Sequence, residues 1–335
     1  MSYAAGMTTT RALVVPTAGG GDVLEVREVD LAPPAPGEVQ VKVAAVGVNF
    51  VDVYQREGIY PMKLPFVLGN EGAGTVTALG EGVTDLAVGD RVAWGQGLGS
   101  AADVVNRAAD SLVPVPDGLD LETAAAAMLQ GMTAHYLITS VWDVKAGDTA
   151  LVHAAAGGVG QLLVQLITAR GASVVATAGS PAKLEIARRL GAQHTIDYST
   201  FAEPADLAKA VREANGSRGV DVAYDGVGRA TFDASLLSLR PRGLMVLFGG
   251  ASGQVPPLDL QRLNRLGSLV VTRPALGAFV ATRDELLGRG RDVLSWLADG
   301  TITLAIGGRY RFDEVADAYA ALEGRQTSGK LLLIP

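Results

Sequence analysis

One stretch, Thr149-Ala-Leu-Val-His-Ala-Ala-Ala-Gly-Gly-Val-Gly160, limits what this chain can fold into, because a short apolar run opens directly into clustered small residues. It reads as a strand, a tight turn and the start of a helix. Set against the dinucleotide fingerprint G-x-G-x-x-G, the positions Ala155, Gly157 and Gly160 fall in register, with alanine in place of the first glycine. Gly157 lets the backbone approach a pyrophosphate, Gly160 lets the new helix lie against its strand, and the helix's first free N–H groups point at the anion. Ala156, Gly157, Gly158, Val159 and Gly160 are therefore the expected phosphate loop. Gln161 to Arg170 continues as a mostly apolar helix that Gly171 can end. Alone, such a loop also fits an ordinary βα turn, and its surroundings must decide.

With 335 residues, 48% of them hydrophobic, 42 glycines and 5% aromatics, the chain has room for two domains and the make-up of a compact α/β protein. A net charge of −7 and no run of basic residues argue against nucleic acid as a partner, since nonspecific affinity for it rests on clustered Lys and Arg. No cysteine is present, which excludes disulfides, thiolate catalysis and Cys-ligated zinc, and fits a reducing cytoplasm. Thr149 to Ala169 is uncharged and about as long as a membrane span. Three glycines and His153 interrupt it, and a buried strand and helix of a parallel sheet give the same profile, so no membrane association is expected. Met1 to Thr8 lacks the basic and apolar regions of a signal peptide.

From Arg11 to Ala93 the pattern is short strands and turns, with Val39, Val41 and Val43 alternating with Gln40 and Lys42 as in a half-buried strand. Asn49 to Gly58 reads as a short helix stopped by glycine. Asp120 is placed to cap a helix over Leu121 to Leu129, and Gly131 is expected to interrupt it before a second run, Met132 to Trp142. From Asp148 strands and helices alternate at short spacing to Phe248, the mark of a doubly wound parallel sheet, and Leu269 to Thr272 is a candidate last strand. Beyond it, Arg283 to Asp299 is helical, Asp313 is placed to cap a helix over Glu314 to Glu323, and Lys330 to Ile334 is a terminal strand. The expected organisation is an α/β fold: residues 130–273 as a Rossmann cofactor domain, and 1–129 with 274–335 as a β-rich domain.

The segments Gly47-Val-Asn-Phe-Val-Asp-Val-Tyr-Gln-Arg-Glu-Gly-Ile-Tyr-Pro61, Gly69-Asn-Glu-Gly-Ala-Gly74, Ala154 to Gly160, Tyr224-Asp-Gly-Val-Gly228 and Val271-Thr-Arg-Pro274 closely resemble those of zinc-free NADPH:quinone oxidoreductases. These form the zeta-crystallin-like branch of the medium-chain dehydrogenase/reductase superfamily. The resemblance runs from about Arg11 to Pro335 and implies that the β-rich domain is GroES-like and catalytic. In the zinc enzymes of that superfamily the ligand positions carry cysteine and histidine; here Asn49, Asn70 and the Leu129-Gln130 neighbourhood stand there. An amide and an apolar side chain do not supply the anionic or imidazole ligands that zinc requires. His135, His153 and His194 are not spaced as a ligand cluster and read as structural or surface residues.

NAD-specific folds place an acid about 20 positions beyond the glycines, where it binds ribose hydroxyls and repels a 2′-phosphate. Here Ala178-Gly179-Ser180 stands there, with Pro181 opening a helix and Lys183 in its first turn, so NADPH is expected. The plainer alternative has Ser180 merely capping that helix and Lys183 solvated, and for Ser180 the two roles are compatible. The resemblance implies that Gly179, Lys183 and Tyr198 line the 2′-phosphate site and that Arg325 reaches into it. It further implies that Asn49, Tyr54 and Tyr60 face nicotinamide and substrate, that Thr133 contacts the cofactor, and that Phe248, Gly249 and Ser252 run along the dinucleotide. Gln130 departs from a family pattern that has lysine there. Asp52 and Asp225 read as organisers of hydrogen bonds. The implied reaction is hydride transfer from NADPH to a quinone or conjugated carbonyl, by a homodimer pairing through Gly267 to Thr272. Two rivals stand beside it: an enal, enone or enoyl-thioester reductase, and a NADPH-binding structural or RNA-associated protein without turnover.

Overall fold

The computed structural model describes residues 8–324 and 327–335. The first eight strands are β1 (Thr8–Val15), β2 (Glu25–Leu31), β3 (Glu38–Gly47), β4 (Phe66–Val67), β5 (Gly72–Leu79), β6 (Arg91–Trp94), β7 (Val104–Ala108) and β8 (Val113–Pro114). Between β3 and β4 lies the helix α1 (Phe50–Arg56), and after β8 comes α2 (Leu121–Tyr136). An alternating stretch follows: β9 (Thr149–Val152), α3 (Gly158–Ala169), β10 (Ser173–Ala178), α4 (Pro181–Arg189), β11 (His194–Asp197), α5 (Pro204–Ala214), β12 (Val220–Asp225), α6 (Phe232–Ser238), β13 (Leu239–Leu247), α7 (Leu260–Arg265) and β14 (Val270–Thr272). The chain ends with α8 (Arg283–Ala298), β15 (Ile306–Arg311), α9 (Val315–Glu323) and β16 (Lys330–Ile334). Two compact units result, one made of residues 1–132 and 280–335, the other of Thr133–Phe279.

In the second unit six strands form one sheet in the order β11-β10-β9-β12-β13-β14, every neighbour parallel. Sequence order reverses beside β9, the switch point at which doubly wound sheets open a crevice at the carboxyl ends of their strands. All four residues of β9 are buried, as a central strand covered on both faces must be. Leu151, Val175, Ala223 and Met245 from the sheet pack with Leu207 and Val211 of α5 and Phe232 and Leu236 of α6 into one core. The Rossmann expectation is thus met.

The first unit is β-rich. A seven-stranded sheet runs β15-β16-β3-β5-β6-β8 with β7 also on β3, beside a three-stranded sheet β2-β1-β4. Val39, Val41 and Val43 turn inward while Lys42 is exposed, so the period-2 pattern of β3 reports its two faces. Strands β7, β8 and β15 had no counterpart in the sequence reading: β8 is only two residues long, and β15 alternates half-buried with exposed positions but carries two glycines and two arginines in six residues. This is the GroES-like partner that the resemblance implied.

Two local expectations are corrected. Gly131 does not break the helix: α2 runs unbroken from Leu121 to Tyr136, and only then loosens into a π-turn at Leu137–Val141. A Cβ at Gly131 would lie 2.5 Å from Val293 Cγ1, so the glycine is there to let α8 approach. Asp313 does not cap a helix over Glu314 to Glu323. A 3-10 turn covers Phe312–Glu314, and it is the Glu314 carboxylate that accepts from the Arg311 backbone N–H. Asp120 does cap α2, taking the Thr123 N–H at 2.8 Å. Among the described residues no helix is long and apolar enough to cross a membrane.

Candidate active site

At the carboxyl end of β9 the chain turns sharply. Ala154 adopts φ +50°, a conformation that a residue bearing a Cβ rarely takes, and its carbonyl accepts the Gly157 N–H at 2.8 Å. Gly157 is the N-cap of α3, Gly158 and Val159 begin its first turn, and Ala156 is buried beneath. A Cβ at Gly160 would sit 2.3 Å from the Ala154 oxygen and 2.8 Å from Ala155 Cα, so only glycine permits this helix to lie on its strand.

One strand over, at the end of β10, Ser180 is the N-cap of α4 in extended conformation, yet its hydroxyl makes no capping bond to the described helix. Lys183 lies in that helix's first turn and is half-buried. Tyr198 follows β11 and packs over Gly179, where a Cβ would meet its Oη at 3.0 Å. The fold therefore brings Gly179, Ser180 and Tyr198 to one corner with no acid at the end of β10. Arg325 lies outside the described residues.

Beyond the switch point the loops after β12 and β13 lock together. Asp225 Oδ1 accepts the N–H groups of Val227 at 2.8 Å and Gly228 at 3.0 Å, and its carboxylate also takes the hydroxyls of Thr231 and Ser235. A Cβ on Gly249 would lie 2.4 Å from the Gly226 oxygen, and one on Gly226 would lie 2.9 Å from the Phe248 ring. Ser252 Oγ donates to the Val227 oxygen at 2.8 Å and accepts the Ala230 N–H at 3.0 Å, so this hydroxyl is spent on holding the loops. His153 is buried with Nδ1 2.7 Å from Thr177 Oγ1, and Nε2 has no partner among the described residues. Burial holds its pKa below the ordinary 6.5, with Asp225 opposing. Thr133 is buried in α2.

The first unit carries a buried polar cluster at the start of α1. Asn49 is 3% exposed, and its amide is fully engaged: Nδ2 donates to the Gly47 oxygen at 3.1 Å and to Glu71 Oε2 at 2.8 Å. Its Oδ1 accepts from Lys330 Nζ at 2.6 Å and from Gln130 Nε2 at 3.3 Å. In this arrangement Asn49 has no hydrogen left for a substrate oxygen. Lys330 also reaches Glu71 Oε2 at 2.5 Å, and Glu71 Oε1 takes the Leu129 N–H at 2.6 Å. Gln130 Oε1 is buried without a partner among the described residues.

Asp52 anchors the other side of this helix start. It is wholly buried, accepting the Asn49 N–H at 2.8 Å, Asn70 Nδ2 at 2.8 Å and the Tyr319 hydroxyl at 3.1 Å. Burial pushes its carboxyl up from 3.8 to about 6, against those hydrogen bonds and the charge of Lys330. Burial and the neighbouring Asp52 likewise raise the Tyr319 phenol. Tyr54 on α1 is half-buried and meets Tyr60 edge to face, ring centroids 5.4 Å apart, with Tyr60 41% exposed. The sequence reading named Asn49, Tyr54 and Tyr60 and did not name Lys330 or Glu71, which the structure places against Asn49. The one signal was a lysine heading the apolar run Lys330-Leu-Leu-Leu-Ile334.

Comparison with known proteins puts these two halves in one family. Residues 35–144 match the alcohol dehydrogenase GroES-like domain and residues 158–287 the zinc-binding dehydrogenase family. A quinone oxidoreductase of Pseudomonas aeruginosa is 43% identical over 95% of this chain and 97% of its own length. The chain belongs to the quinone oxidoreductase family. The crystal structure of the Escherichia coli quinone oxidoreductase complexed with NADPH is 40% identical, covers 97% of this chain and 100% of its own, and superposes with a TM-score of 0.93. A 2-haloacrylate reductase of Burkholderia is 40% identical over 97% of this chain and 98% of its own. This makes the chain a medium-chain dehydrogenase/reductase with Rossmann and GroES-like parts.

The zinc in the second family's description does not fit the donors present in this member of the quinone oxidoreductases. Among the described residues no group of three or more His, Cys, Asp or Glu is placed to hold a metal. Where the resemblance puts ligands, Asn49 offers amide atoms already bonded, and an ammonium group, Lys330 Nζ, lies 2.5 Å from the Glu71 carboxylate. A cation there repels a second cation.

Proposed function

We propose that the chain is an NADPH-dependent reductase of quinones and of related electron-poor conjugated carbonyls. One observation carries this: the glycine turn at the end of β9 admits only glycine at Gly160, while the place of a Lewis acid in the first unit holds the Lys330–Glu71–Asn49 cluster. An acceptor must then take hydride without a metal to polarise it, which quinones do and simple aldehydes do not.

NADPH, when bound, supplies the hydride. On this reading the N–H groups of Ala156, Gly158, Val159 and Gly160 would receive the pyrophosphate at the start of α3, the Gly157 N–H being held by the Ala154 carbonyl. Ser180, Lys183, Tyr198 and, beyond the described residues, Arg325 hold the 2′-phosphate beside Gly179, the Ser180 hydroxyl being uncommitted to capping. Phe248 and Gly249 line the dinucleotide, Ser252 keeps their loop in shape, and Thr133 contacts the nicotinamide half. Gln130 Oε1 is an acceptor awaiting a donor. Tyr54 and Tyr60 donate hydrogen bonds to the oxygen on which negative charge grows, and Asn49 fixes the helix that carries Tyr54. The likeness to a 2-haloacrylate reductase favours testing activated double bonds as second acceptors. We further propose a homodimer paired along β14 and a cytoplasmic location, consistent with a chain free of cysteine.

Calorimetric titration with NADPH and NADH, followed by turnover with small quinones, tests the reading. Tighter binding of NADPH and fast quinone reduction are expected. Lys183→Glu should weaken NADPH binding by at least about tenfold while changing NADH binding little, because it sets a carboxylate against the phosphate. Equal losses for both cofactors would remove Lys183 from the phosphate site.

A further inference from the structure

We propose that Lys330 is a positioning residue: with Glu71 it forms a fixed ion pair that anchors Asn49, and through Asn49 the helix bearing Tyr54. The inference rests on the reading of Tyr54 as a donor to the reduced oxygen. Three segments remote in sequence meet at this point. Lys330 is the first residue of β16, Asn49 links the end of β3 to α1, and Glu71 precedes β5. The Lys330 and Glu71 side chains are 1% and 0% exposed. Lys330 Nζ divides its bonds between Asn49 Oδ1 at 2.6 Å and Glu71 Oε2 at 2.5 Å. Glu71 returns a bond to the same amide, accepting Asn49 Nδ2 at 2.8 Å, so the three side chains close a ring. Gly47 completes the fit, for a Cβ there would lie 2.2 Å from Glu71 Oε2.

Stability alone does not account for such a pair. Two charges taken from water recover little net free energy from each other, and well-packed apolar residues of the same volume are often as good or better. What the apolar pair lacks is direction. The ammonium fixes which way the Asn49 amide faces, and Asn49, whose backbone N–H is held by Asp52 at 2.8 Å, is the N-cap of α1. Tyr54 lies on that helix five residues after Asn49, and its place therefore depends on a bond made by a residue near the other end of the chain. Because Glu71 balances its charge, Lys330 acts on the reaction through geometry.

The test compares the parent with Lys330→Met/Glu71→Leu, which removes both charges, and with Lys330→Gln/Glu71→Gln, which keeps hydrogen-bonding groups on both sides. NADPH affinity, quinone turnover and hydrogen exchange of the α1 amides are measured on each. For the apolar pair we expect NADPH affinity within about threefold of the parent. Its kcat should be lower by about 10²-fold, the usual consequence of a misplaced group, with faster exchange over Phe50–Arg56. The glutamine pair should recover most of both losses. Parental kcat and parental α1 exchange in the apolar pair would overturn the proposal, as would a glutamine pair no better than the apolar one. If the parent itself reduces no quinone, the hydride-transfer reading fails on its own, and α1 exchange in the variants still decides what Lys330 holds.

Discussion

Asp52 shows how one buried carboxyl sets stability against function. Its pKa in the folded protein, about 6, lies above the ordinary 3.8, so the fold favours the protonated form. The contribution to stability is fully present below pH 3.8 and is lost as pH rises through about 6, a swing of roughly 3 kcal/mol. The Asp52→Asn variant is neutral throughout, so its melting temperature minus the parent's should climb between pH 4 and 6 and then level off. A flat difference would mean that Asp52 is not titrating there. Activity should run the other way. The carboxylate accepts the Asn49 N–H, Asn70 and the Tyr319 hydroxyl together, and a proton on it removes one of those acceptor sites. Quinone turnover should therefore fall as pH drops through about 6, and Asp52→Asn should erase that limb. Next along the helix, Tyr54→Phe should lower the rate of hydride transfer by about ten- to a hundredfold with NADPH affinity nearly unchanged, as stopped-flow absorbance will show. A parental rate would reduce Tyr54 to a wall of the pocket.

At the scale of elements, legibility followed from how local the cause of each element is. The Thr149–Gly160 turn could be read because the steric demand at Gly160 comes from Ala154 and Ala155, a few residues away. The alternation from β9 to β13 was equally plain, since each βα unit carries its own period and stops. Gly131 was misread because its constraint comes from Val293, which no local pattern reveals. Propensity says that glycine weakens a helix by about 1 kcal/mol, and packing says that here it is needed. Gly131→Ala makes the two compete: the gain in propensity should be outweighed by a clash with the fully buried Val293, for a net loss of about 1–3 kcal/mol in urea unfolding. Adding Val293→Ala should return part of that loss, and a cycle with no coupling would show that the helices do not meet at these residues. Gly160→Ala should cost at least as much and also abolish NADPH binding, because the clash is with backbone that cannot turn away.

For the whole molecule, what the sequence concealed is what joins distant segments. Lys330, Glu71 and Asn49 are each ordinary in their own neighbourhoods, and only the pairing of β16 with β3 and of β3 with β5 makes them a cluster. The same limit governs contacts with a second copy, yet here the sheet order helps. β14 ends the six-stranded sheet and among the described strands pairs only with β13. Its outer edge thus offers unpaired backbone groups, and Val270 is 53% exposed instead of carrying the charge that usually guards such an edge. Nearby in sequence, Leu260 at the start of α7 is 71% exposed. Two copies related by a two-fold axis would cover both edges at once and extend one sheet into the other. The parent should scatter light as a dimer of the 34.5 kDa chain at micromolar concentration. Val270→Lys, which puts a charge on the edge without touching the dinucleotide loops, should weaken the dimer at least about tenfold while each monomer still binds NADPH. A parent that is monomeric, or a Val270→Lys variant that dimerises as well as the parent, would take the contact away from β14.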